Sequence, residues 1–201
     1  MSEGAGPERR VNPALDAPTV ARRQRRFALP TGLVLAVCIF LPTVRVCGSP
    51  TYPISMPPFW TPYLLGIGVA ILGGARTLRG VRTGQIFVEV VMAISCLGWG
   101  VAALFGGREG VMAAIVIGSI GAAFFRIARW GTREERAAHL TIFCGLLCTP
   151  WFALWAFDAD GMFGAWVSLC ASIAIFFAGL EWRRELRNKR VDPVPRAAVV
   201  R

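Results

Sequence analysis

The side chains with the clearest chemical potential sit where chemistry is least expected, inside long apolar runs. Glu89 is the one carboxylate in GQIFVEVVMAISCLGWGVAALF, Gly84 to Phe105. A charge in hydrocarbon is costly, so an intramembrane carboxylate is by default a candidate site for a proton or a cation. Its depth favours a simpler reading. Glu89 follows Gln85 by four residues, about 6 Å of helix rise, so it lies near the start of the run rather than at its centre. From there a long side chain reaches toward the headgroups, where Arg76, Arg79 or Arg82 of the preceding loop can pair with it. No second acid, and no His or Lys, is expected at matching depth on another element. An interfacial ion pair is therefore preferred to an ion-coupled site.

The six cysteines do not make a disulfide framework. Only Cys47 falls clearly outside the apolar runs, whereas Cys38, Cys96, Cys144, Cys148 and Cys170 lie within them. Cys144 and Cys148 are four apart, so they share a helical face and could ligate a soft ion such as Cu(I). Cys96 and Cys170 would complete a thiol cluster if their helices met. Membrane helices also use Cys as a small apolar filler, and that reading is adopted: no metal and no other cofactor is expected. Pro150 in LLCTPWFALW removes a backbone donor and should kink its helix. Interrupted helices frame ion sites in transporters, but a single kink without a counterpart reads as a tolerated bend. Asp158 and Asp160 in FDADG mark a solvated turn, well short of the roughly six to eight oxygens that calcium takes.

Signatures of catalysis are missing. There is no glycine-rich loop ending in Gly-Lys-Ser/Thr, no His-Glu-x-x-His and no Gly-x-Ser-x-Gly. The single histidine, His139, is expected at headgroup level, at the opposite end of the membrane from Cys47, so no His-dependent triad forms. The chain is not read as an enzyme.

The elements that must position these residues follow from composition. Hydrophobic residues make up 55% of the 201 and the mean hydropathy is +0.53, wetter surface than this being needed by a soluble domain. Apolar runs cover 27–44, 59–75, 85–105, 111–125, 140–157 and 162–180. A helix rises about 1.5 Å per residue, so roughly 20 residues cross a hydrocarbon core of about 30 Å. The third and sixth runs meet that length, while the second and fourth are short. Fold class is accordingly all-α: a polytopic membrane protein with a bundle of six transmembrane helices.

Charge sets the orientation, because Lys and Arg near span ends stay cytoplasmic. With six crossings, every one of the 22 Lys and Arg residues except Arg45 and Arg108 falls on one side. If the weak second run merely dipped in and returned, every later segment would invert and most of the basic residues would be exported. Both termini are therefore expected in the cytoplasm, in a plasma (inner) membrane. Tyr52, Trp60, Tyr63, Trp155 and Trp166 then lie at the outer edge and Trp130 and Trp182 at the inner one, as headgroup-level aromatics do. Trp99 and Trp151 fall deeper.

Outside the spans, residues 1–26 read as a disordered basic cytoplasmic tail and 181–201 as a second basic tail. LEWRRELRNKR continues the sixth helix against anionic headgroups. The first apolar run is expected to be retained, since no small-x-small cleavage site follows it. The longest exported loop, VCGSPTYPISMPPFWTP, is proline-dense and expected to be extended and semi-rigid, capping the bundle or meeting a partner. Four stripes of small residues, Gly66/Ala70/Gly74, Gly98/Ala102/Gly106, Ala114/Gly118/Ala122 and Gly164/Ser168/Ser172, permit close helix approach. Part of one could be a homo-oligomer face.

Three function classes fit these readings, in this order. The first is a non-catalytic accessory or scaffold component of a membrane assembly, with the lipid bilayer, anionic headgroups and another membrane protein or a second copy as partners. The second is a small oligomeric transporter or channel using Glu89, which Glu89-dependent flux would mark. The third is a Cu(I)-handling protein using Cys144 and Cys148, which stoichiometric copper binding would mark. The basic charge is explained by topology, so nucleic acid is not expected as a partner.

Overall fold

A computed structural model describes residues 22–46 and 48–191. The tail readings over residues 1–21 and 192–201, and that for Cys47, lie outside the described residues. The fold is six helices with one two-stranded hairpin: α1 (Arg22–Val37), β1 (Val44–Val46), β2 (Ser49–Thr51), α2 (Thr61–Gly74), α3 (Leu78–Leu104), α4 (Gly107–Ala128), α5 (Arg133–Ala156) and α6 (Phe163–Val191). Four of them, α3 to α6, are long and apolar enough to cross a membrane. The other two are short. At 14 residues, α2 is about 21 Å long, below a hydrocarbon thickness of about 30 Å.

Helix ends depart from the expected spans where local signals override hydropathy. The first span, expected over 27–44, begins in helix at Arg22 and ends in a short 3-10 turn at Phe40. Leu41 is already extended, as the residue before Pro42 tends to be, and Val44 starts a strand instead. The expectation of disorder through residue 26 is thereby corrected, since 22–26 are helical. α3 starts seven residues before the expected Gln85, at Leu78, because the Thr77 hydroxyl accepts from Gly80 N at 3.2 Å and caps the helix. α5 begins at Arg133 rather than 140. There Thr132 and Glu135 form a reciprocal capping box, with Thr132 N donating to Glu135 Oε2 at 2.8 Å. Gly107 (φ 68°) and Gly131 (φ 90°) take left-handed backbone at the two tight inter-helix turns.

Close backbone approach holds the bundle together, since apolar surface alone gives helices no reason to associate in lipid. α1 and α2 pack antiparallel through small residues. A Cβ on Gly32 would lie 2.6 Å from Ala70 N, and one on Gly73 2.5 Å from Leu29 N. The working stripe of α2 is thus Gly66–Ala70–Gly73, with Gly74 displaced to an exposed position. α5 and α6 repeat the device: a Cβ on Gly145 would lie 2.5 Å from Phe176 N, and one on Gly179 2.7 Å from Ile142 N. Hydroxyls buried in this seam are satisfied within their own helices, Thr141 by Ala137 O (2.9 Å), Ser168 by Gly164 O (2.8 Å) and Ser172 by Leu169 O (2.8 Å). Wholly buried Leu35, Leu72, Leu140, Phe124, Phe152 and Ile175 fill the rest of the core.

The proline-dense loop is folded rather than extended. β1 and β2 pair antiparallel, Val44 opposite Thr51, and two 3-10 turns follow at Pro53–Ser55 and Pro57–Phe59. Trp60 Nε1 donates to Pro53 O at 3.1 Å, closing the loop onto itself. Its outer edge pairs with the turn between α5 and α6: Arg45 N donates to Asp160 O (3.0 Å), Met162 N to Thr43 O (2.9 Å) and Gly164 N to Pro42 O (3.0 Å). The prolines lack donors, yet their carbonyls serve in these contacts. The product is a compact cap on one end of the bundle.

Candidate functional site

The antiparallel helix pairings carry the arginines to the end opposite the cap. Arg76, Arg79, Arg82, Arg126, Arg129, Arg133, Arg183, Arg184 and Arg187 are all exposed there, while Arg45 sits in the cap strand β1. Arg184 pairs with Glu181 at 2.8 Å on the exposed face of α6.

Glu89 lies on α3, half-buried, one turn above Gln85. No ion pair links it to Arg76, Arg79 or Arg82 among the described residues. The buried polar group at this level is instead Gln85, whose Nε2 donates to Arg133 O at 2.8 Å. That bond pins the start of α5 to α3. Sequence reading passed over Gln85, because nothing local shows that two segments 48 residues apart will meet.

The thiols separate. Cys144 and Cys148 are buried on one face of α5, Cys96 is half-buried on α3 and Cys170 is exposed on α6. The four-thiol cluster therefore does not assemble, and among the described residues no group of three or more His, Cys, Asp and Glu side chains could hold a metal. Pro150 lies inside α5, which continues as α-helix from Arg133 to Ala156, and its ring is exposed on the outer surface. Asp158 and Asp160 are exposed in the turn under the cap, where Asp158 Oδ1 accepts from Ala159 N at 2.7 Å.

Two features remain that packing within the chain does not account for. The first is the outward face of the α3–α4 hairpin. Only 17% of the apolar window of α3, and the same of α4, is buried, against 44% in α5 and in α6. Ile94, Leu97, Val101, Ile115 and Val116 are exposed along it, and a Cβ on Gly98, Gly100 or Gly118 would meet nothing within 4 Å. The stripes of α2 and α6 are consumed inside the bundle; those of α3 and α4 are left facing out.

The second feature is a half-enclosed cavity of about 260 Å³ on the inner side of the same hairpin. α4 closes onto α5 near the arginine end, where the rings of Phe124 and Phe143 are 5.2 Å apart. Toward the cap it diverges, and along 107–120 Gly110 is the one buried residue among those described. Met92, Cys96, Trp99, Ile117, Leu147 and Trp151 line the space this leaves. Its hydroxyls, Thr61 and Ser95, bond each other at 2.7 Å. Above it Phe59, Trp99, Trp151 and Trp155 form an aromatic cluster of edge-on and tilted contacts, with Phe59 and Trp155 centroids 5.2 Å apart. The two tryptophans expected to lie deep are thus the cavity's wall. No protein-family model matches the chain, and no curated protein or solved structure is similar enough to it to count as a relative.

Proposed function

We propose that this is a non-catalytic component of a membrane assembly, crossing the bilayer six times with both termini cytoplasmic and docking a transmembrane helix of another protein, or of a second copy, on the outer face of α3–α4. The observation that carries this is the pair of unused small-residue stripes. A helix that packs through Gly98, Ala102, Ala114 and Gly118 gains close van der Waals contact that lipid cannot supply as well, and a Cβ at Gly98 or Gly118 would meet nothing within the chain. The short α1 and α2 fit a crossing role as a tightly joined pair, with local thinning of the bilayer making up the length. Exposed arginine at one end accords with the positive-inside rule.

The test is Gly118→Ile, with affinity purification in mild detergent and identification of what accompanies the chain. Because a side chain here meets open space, the variant should fold and melt as the wild type does, yet lose its partner. Retention of every companion by well-folded Gly118→Ile defeats the reading. Whether the lost partner is the same chain separates self-assembly from a heteromeric complex.

A further inference from the structure

We propose that the cavity between α3, α4 and α5 binds one hydrocarbon chain of a membrane phospholipid, taken in sideways from the leaflet on the cap side. The inference rests on the chain lying in a bilayer and not on the docking reading, whose residues Gly98, Ala102, Ala114 and Gly118 do not line the cavity.

The lining decides the ligand class. No charged side chain borders the cavity among the described residues, and its two hydroxyls are engaged with each other. A buried water wants roughly two to four polar partners, and a polar solute wants as many, so neither is well served. An apolar guest is. An apolar cavity of roughly 150 Å³ stays dry and takes up benzene; at about 260 Å³ this one accommodates a longer run of methylenes. Left empty, its walls would forfeit the dispersion contacts that close packing supplies. The mouth points to the same guest. It opens where α4 parts from α5, within the apolar length of two helices able to cross a membrane, so hydrocarbon is the medium it faces. Trp99 and Trp151 add large apolar rings to the lining, against which a chain packs without needing any particular headgroup. The aromatic cluster above closes the cap end, which fixes entry as lateral.

The probe is a phosphatidylcholine carrying a photoreactive diazirine midway along one acyl chain, added to the full-length protein in mild detergent, with adducts located by mass spectrometry after irradiation. Labelling should saturate at a single adduct per chain, on Met92, Cys96, Ile117 or Leu147. Ile117→Trp, whose indole fills the space, should weaken it about tenfold, a loss of roughly 1.4 kcal/mol, whereas Gly118→Ile should leave it unchanged. Non-saturating labelling along Ile94, Leu97, Ile115 and Val116 means ordinary surrounding lipid only and overturns the proposal. So does an unlabelled cavity in wild-type protein. The wild-type adduct map decides the matter even where Ile117→Trp fails to accumulate.

Discussion

Glu89 and Gln85 show how differently two polar side chains one turn apart on α3 are treated. Gln85 is buried and pays its desolvation through a bond to Arg133 O, which joins two elements that hydropathy alone keeps apart. Glu89 is half-buried and outside the ion pairs of the described residues, so its carboxylate carries no fixed partner whose loss would be felt. Glu89→Gln should therefore change stability by no more than about 1 kcal/mol, well short of the roughly 3–5 kcal/mol of a broken buried pair, as read by thermal unfolding in detergent. A several-degree fall in melting temperature would instead reveal a buried pair, and loss of ion-driven flux in proteoliposomes would favour the carrier reading. Residue identities on a single helix were legible from spacing: Cys144 and Cys148 do share a face of α5. Partnerships across helices were not, because hydropathy is periodic along one element and silent about its neighbour. Thr61 and Ser95 meet across 34 positions with no pattern to announce it. The Thr132–Glu135 capping box is different: its T-x-x-E spacing was readable and marks where α5 begins.

At the scale of the element, all four small-residue stripes look alike in sequence and behave in two ways. On α2 and α6 they admit a neighbouring backbone; on α3 and α4, Gly98 and Gly118 meet open space. Which stripe is used depends on how the helices are arranged around one another, and a spacing of four carries no information about that. Substitution separates the classes. Gly145→Ala puts a Cβ 2.5 Å from Phe176 N, so the α5–α6 seam must part, costing about 1–3 kcal/mol in thermal unfolding of the detergent-solubilised protein. Gly118→Ala has no such clash, and by removing a glycine from a helix interior it should be neutral or gain up to about 1 kcal/mol. Equal destabilisation by both would mean that the outward stripe is also packed. Helix type and order came from hydropathy with little loss, while ends shifted wherever a cap, a proline or an amphipathic turn outweighed the apolar count, as at Phe40 and Leu78.

For the molecule as a whole, the polarity of the bundle was the most legible property. Most of the arginines gather at one end and the cap, with Arg45, occupies the other, a division that follows from even spacing of charge clusters between apolar runs. Alkaline phosphatase fused to either terminus should be inactive, and the same reporter inserted in the Asp158–Asp160 turn should be active. An active terminal fusion rules out the six-crossing arrangement. The cap itself was not legible, because proline density predicts stiffness without saying what the carbonyls will bond to. Its bonds have a consequence in time. Arg45, Thr43 and Pro42, beside the end of α1, are clasped to Asp160, Met162 and Gly164, at the start of α6. A ribosome delivers those partners more than a hundred residues apart, so the end of α1 must wait with its clasp open until the start of α6 emerges. The latch then joins α1 to α6 and shuts the ring, and chains halted after α5 should persist as unlatched intermediates for quality-control proteases to find.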